Sequence, residues 1–60
     1  MKKTAQKIVK RYNEWIAEDR IYKTWEHEDY EDVMVYEDIN ADIICIQRDA
    51  NGTIVDAWAE

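Results

Sequence analysis

Apolar side chains at Ala5, Ile8, Val9, Tyr12, Trp15 and Ile16 recur at i, i+3, i+4 and i+7, the spacing of one helical face. Turned by roughly 100° per residue they share a single arc, with Lys3, Lys7, Lys10 and Glu14 opposite. The spacing predicts an amphipathic helix over residues 4–18, with Thr4 as its N-cap. It ends there because Asp19 would point into the apolar arc.

After the helix the period changes. Residues 41–58 read Ala-Asp-Ile-Ile-Cys-Ile-Gln-Arg-Asp-Ala-Asn-Gly-Thr-Ile-Val-Asp-Ala-Trp. Two runs rich in β-branched residues flank the single glycine of the chain. Asn-Gly between such runs is a strong hairpin signal, because both residues tolerate the positive φ of a tight turn. The strands are expected over 42–47 and 53–58, after a short strand at Val33–Tyr36 and a turn over 37–40. Ile21–Trp25 has β-propensity but also continues the helical face, and is read as an irregular or short extended connection. A two-residue turn puts Val55 and Ala57 beside Ile44 and Ile46; a three-residue loop puts Ile54 and Trp58 there. The two-residue form is preferred, since it keeps Asp56 off that face.

The expected fold is α+β: one N-terminal amphipathic helix packed on a three-stranded antiparallel β-meander. The central strand does not alternate cleanly. Ile43 and Cys45 face one way and Ile44 and Ile46 the other, so both faces need cover. The helix supplies one side. The other is left to residues 21–32, a second copy or a partner. With no proline, one glycine and no repeat, residues 1–60 form one domain. A chain of 60 residues buries a modest core, which Trp15, Trp25, Trp58 and four tyrosines enlarge.

Cys45 is the single cysteine and makes no internal disulfide, which fits a reducing, cytoplasmic setting. The opening Met-Lys-Lys-Thr-Ala-Gln-Lys lacks the apolar core of a signal peptide. No run approaches the ~20 apolar residues of a membrane span.

Charge changes the picture most. The net charge is −6, but it is split along the chain. Residues 1–23 carry seven Lys or Arg against three acids, and residues 24–60 carry Arg48 against eleven acids. Eight acids and no Lys or Arg lie between Glu26 and Asp42. Such crowding adds nothing to folding, because the charges repel. It is either a solvated face or a surface that meets the Lys and Arg of a partner. On the second reading Glu26, Glu28, Asp29, Glu31, Asp32, Glu37 and Asp38 supply charge, and Trp25, Tyr30 and Tyr36 supply anchoring area.

Other chemistries fare less well. Read as a calcium loop around Gly52, the turn puts Gln47 at position one and Trp58 at position twelve, where acids belong. Glu26, His27, Glu28 and Asp29 are consecutive, and consecutive residues rarely converge on one point, so at most weak, nonspecific binding of a divalent ion is expected there. No metal site and no cofactor is expected. His27 is the only histidine, Cys45 has no histidine near it in sequence, and no Gly-rich phosphate loop is present. No enzymatic activity is expected. Lys2, Lys3, Lys7, Lys10 and Arg11 form a basic face, yet a domain with a pI near 4.6 is repelled by phosphate, so nucleic acid is a disfavoured partner.

In size, charge and architecture, though without a shared motif, the chain is similar to the small acidic inhibitors of phages and mobile elements, such as anti-CRISPR and anti-restriction proteins. That likeness implies a protein partner with a basic, nucleic-acid-binding surface, occluded by mimicry of DNA charge. Two alternatives stand beside it: a structural or regulatory homo-oligomer joined through the exposed sheet face, and a weak nucleic-acid binder acting through the lysine face.

Overall fold

The apolar arc near the N-terminus folds as the helix α1 (Lys3–Ala17) in the computed structural model, which describes all 60 residues. Four strands follow: β1 (Ile21–Glu26), β2 (Val33–Asp38), β3 (Ile43–Arg48) and β4 (Ile54–Ala59). They form one antiparallel sheet in the order β1-β2-β3-β4. The α+β class stands. The meander has four strands rather than three, because Ile21–Glu26 pairs with β2 instead of forming a loose connection. As an edge strand β1 buries little, with only Ile21 and Trp25 half-buried, and a register shift between Ile21 and Lys23 breaks its alternation. That is why its periodicity is weak in the sequence.

The helix starts one residue before Thr4, and Lys2 holds the N-cap position without a side-chain hydrogen bond. Gln6 Nε2 donates to the Met1 carbonyl at 2.9 Å, which ties the first residue to the helix but leaves the free N–H groups of its first turn uncapped. At the other end, Arg20 N–H donates to the Trp15 carbonyl (2.9 Å) and Asp19 N–H to that of Ile16 (3.3 Å), with Asp19 at φ 53°. This is a Schellman-type end with an aspartate where glycine is usual. Ala5, Ile8 and Trp15 are buried, and Val9 and Tyr12 pack beside them. Ile16, expected on the same arc, is 55% exposed.

The two faces of β3 bury separate clusters. On the helix side Ile44 and Ile46, both fully buried, join Ala57 and the three helical residues. On the other side Cys45 joins Val33 and Val35, with Trp25, Ile43 and Trp58 packed around them. Burying a Val or Ile side chain contributes roughly 1.5–3 kcal/mol, so the second cluster adds materially to a domain this small.

The β3–β4 hairpin forms, with a different turn from the one expected. Gly52 N–H donates to the Asp49 carbonyl (3.0 Å) and Asp49 N–H to that of Thr53 (2.9 Å), so the loop is the three-residue Ala50–Gly52. Only Gly52 takes positive φ, at 84°, which Asn51 does not share. Asp49 Oδ1 accepts the N–H groups of Asn51 and Thr53, which stabilises this form. The loop sets Ile54 opposite Arg48. An irregularity between Gln47 and Arg48 then extrudes Val55, 44% exposed, and restores the pairing of Ile46 with Ala57 and Cys45 with Trp58. Each expected register therefore holds over part of the hairpin.

The turn expected over residues 37–40 is displaced. β2 runs on through Asp38, and the reversal occupies residues 39–42 with Ala41 at φ 67°. Asp38 drives this, since its Oδ1 accepts the N–H groups of Asn40 and Asp42, each at 3.0 Å.

Candidate functional site

The link between β1 and β2 carries the acidic residues and is held by backbone and ring contacts. His27 N–H donates to the Val33 carbonyl at 3.0 Å, and Asp29 N–H donates to His27 Nδ1 at 3.0 Å. At its far end Arg48 N–H donates to the Asp32 carbonyl (3.1 Å), and Gln47 Nε2 donates to Asp32 Oδ2 (2.8 Å). Beneath the loop lies a ring cluster. His27 sits 5.0 Å from Tyr30 and 6.4 Å from Trp58, and Tyr30 sits 6.1 Å from Trp58 with its ring near perpendicular. Residues 27–32 thus cover part of the sheet face that the helix leaves open.

The fold gathers Glu28, Asp29, Glu31 and Asp32 on this one loop, with Glu26 at the end of β1 beside them, all exposed. None is ion-paired: the Arg–carboxylate pairs of the molecule are Arg20–Glu18 and Arg20–Asp38, and His27 Nε2 hydrogen-bonds Glu60 Oε1 at 3.3 Å. Tyr30 stands among them, 53% exposed. Beside the loop is a groove of about 590 Å³. Trp25, Val35 and Ile43 line it with apolar surface, and Glu26, Glu28, Asp29 and Glu60 line it with carboxylates. Lys23 Nζ lies 5.6 Å from the Trp25 ring centroid, a cation already resting on that ring.

Three residues expected at this surface lie elsewhere. Tyr36 belongs to the helix face, its ring centroid 4.8 Å from that of Tyr12 and its hydroxyl accepting from Arg48 Nη1 at 3.2 Å. Burial and the Tyr12 hydroxyl raise its pKa above the usual 10.0, against the opposing pull of Arg48. Asp38 is 1% exposed and held by Arg20 Nη2 at 3.1 Å. Its carboxylate is spent on the turn and the ion pair, so it is no contact residue. Glu37 is half-buried in β2 opposite Lys23, apart from the loop.

A second constellation was not legible in the sequence. His27, Cys45 and Glu60 bring one donor atom each to within 4.8 Å of one another. Glu60 Oε1 lies 3.3 Å from His27 Nε2 and accepts a hydrogen bond from Cys45 Sγ at 3.4 Å. Burial first, then the Glu60 hydrogen bond and charge, pushes the thiol pKa up to about 12. Cys45 is therefore a thiol at neutral pH and no nucleophile. In the chain the trio is split between a loop, the central strand and the residue after β4. The signal available was strand parity: Cys45 pairs with Trp58, and two residues on, Glu60 returns to the same face, where its N–H donates to the Ile43 carbonyl.

The lysine face of α1 meets acids of the same molecule. Lys7, Lys10, Arg11 and Arg20 line a depression together with Glu14, Asp38 and Asp42. No helix is long and apolar enough to cross a membrane.

No protein-family model matches the chain. Comparison with characterised proteins and with solved structures likewise gives no match.

Proposed function

We propose that this protein is a small protein-binding module that presents its β1–β2 loop to a basic surface of a partner and occludes it. The observation that carries the reading is the set of five carboxylates on the β1–β2 loop and the end of β1 that leads into it, none paired with a Lys or Arg of the chain. The adjacent groove adds an apolar floor to an acidic rim. That combination suits a lysine or arginine, whose alkyl stem packs on apolar surface while its head group meets carboxylate. A surface that normally holds phosphate offers such side chains in number, so inhibition of a nucleic-acid-binding protein is the activity this site fits best.

The test is capture of a binding protein from the host, followed by measurement with the purified pair. Affinity should fall steeply between low and high salt, nucleic acid should compete, and the triple change Glu28→Lys, Asp29→Lys, Glu31→Lys should abolish binding. Affinity indifferent to salt and to the triple change would defeat the reading.

The homo-oligomer is the second reading, favoured by an open sheet edge. The outer edge of β1 has no neighbour, and Tyr22 on that strand is 72% exposed. A dimer mass in solution, lost in a Thr24→Pro variant, would favour it.

A further inference from the structure

We propose that His27, Cys45 and Glu60 form a zinc site with three protein ligands. This goes beyond the reading of the acidic loop and does not depend on it. Zinc takes imidazole nitrogen, thiolate sulfur and carboxylate oxygen in tetrahedral sites, with bonds of about 2.0–2.3 Å. Bonds of that length place neighbouring ligand atoms roughly 3.3–3.6 Å apart. The structure has Nε2 to Oε1 at 3.3 Å and Sγ to Oε1 at 3.4 Å, two edges of that tetrahedron already at length. The third, from an imidazole nitrogen to Sγ, lies within 4.8 Å and closes with a small movement of the imidazole. The donor set is nitrogen, sulfur and oxygen, which selects zinc over calcium or magnesium.

The surroundings support the same assignment. Cys45 is fully buried among Val33, Val35, Trp25, Ile43 and Trp58, a fixed sulfur in an apolar wall. Glu60, 50% exposed at its side chain, opens the site to solvent, and the groove lined by His27 and Glu60 is the way in. Ligation would tie the β1–β2 loop, the central strand and the end of β4 at one point.

Protons balance as follows. The thiol proton leaves to solvent as the Zn–S bond forms. The imidazole stays neutral, its proton passing from Nε2 to Nδ1. In the conformation described, Nδ1 accepts the Asp29 amide at 3.0 Å, so that amide must turn away, within an exposed loop. The fourth position falls to water.

The experiment uses the full reduced chain and its Cys45→Ala, His27→Gln and Glu60→Gln variants. Zinc should bind at one site and raise the thermal midpoint, and cobalt should give a thiolate charge-transfer band. Cys45→Ala should abolish the band. The His27 and Glu60 changes, at the loop and the chain end, should weaken zinc by more than about tenfold each. Calcium, compared at matched ionic strength, should leave the midpoint unmoved. Circular dichroism in chelator establishes that each variant folds, and the His27 and Glu60 variants keep the test alive should Cys45→Ala unfold. No cobalt band, equal stabilisation by calcium, or zinc affinity undiminished in the folded variants would overturn the proposal.

Discussion

Arg20 Nη2 donates to Asp38 Oδ2 across 3.1 Å, joining the end of the helix to the end of β2. A second link lies alongside it, where Ile39 N–H donates to the Arg20 carbonyl at 3.0 Å. Because Asp38 is 1% exposed, its carboxylate has little water to fall back on. Removing one partner of such a pair leaves the other uncompensated.

Asp38→Ala should therefore destabilise by about 3 kcal/mol, since it breaks the ion pair and orphans the amides of Asn40 and Asp42. Asp38→Asn keeps an oxygen for those two amides and should lose about half as much. Urea midpoints at constant slope would check both. Equal losses would mean that the ion pair, and not the turn, dominates.

Arg48 donates to two hydroxyls at once, Tyr12 at 3.1 Å and Tyr36 at 3.2 Å. Burial, then the Tyr12 hydrogen bond, raises the Tyr36 pKa from 10.0, and Arg48 works the other way. A folded-state pKa above the unfolded value means that the folded chain holds the proton longer. The stabilisation is complete below pH 10 and is lost as pH rises through the higher folded value. An alkaline absorbance titration should show one of the four tyrosines ionising late, and Tyr36→Phe should remove that component. The same variant should flatten the fall in stability above pH 10.

Backbone conformation gives an opposed pair. Gly52 holds φ 84°, and a Cβ placed there meets nothing within 4 Å. Gly52→Ala should then cost about 1 kcal/mol from conformation alone. Ala41 holds φ 67°, a region that disfavours side chains. Ala41→Gly should stabilise by about 0.5 kcal/mol, the relief of strain exceeding the extra freedom of the unfolded chain. Chemical denaturation of the two variants should move the midpoints in opposite directions.

The helix and the β3–β4 hairpin were legible because each is set by local order: a 3.6-residue period in one, β-branched runs around Asn-Gly in the other. The two-sided burial of β3 followed from Ile43–Ile46 for the same reason. β1 was not legible, because an edge strand paired on one side leaves most of its side chains exposed. Asp38 and Tyr36 read as surface groups only because their partners, Arg20 and Tyr12, lie far away in sequence. Of the residues expected at a contact surface, Glu28–Asp32 share the β1–β2 loop because they are neighbours in sequence. The meeting of His27 with Cys45 and Glu60 depends on strand register, which the period of a single strand does not fix.

The acidic loop should destabilise the fold that carries it. Glu26, Glu28, Asp29, Glu31 and Asp32 crowd one surface with no cation in ion-pair contact, so they repel one another. At low ionic strength, Glu28→Gln, Asp29→Asn and Glu31→Gln together should raise stability by about 0.5–1 kcal/mol, a magnitude expected for exposed charges. Added salt should raise the midpoint of the parent chain and narrow its gap to the variant, since the Debye length falls to about 8 Å at physiological ionic strength. Under the proposed function the same triple change weakens the partner complex. A chain that becomes more stable while binding less tightly would identify the loop as a surface kept for contact at the expense of folding. A variant that loses stability would instead assign these carboxylates to the fold.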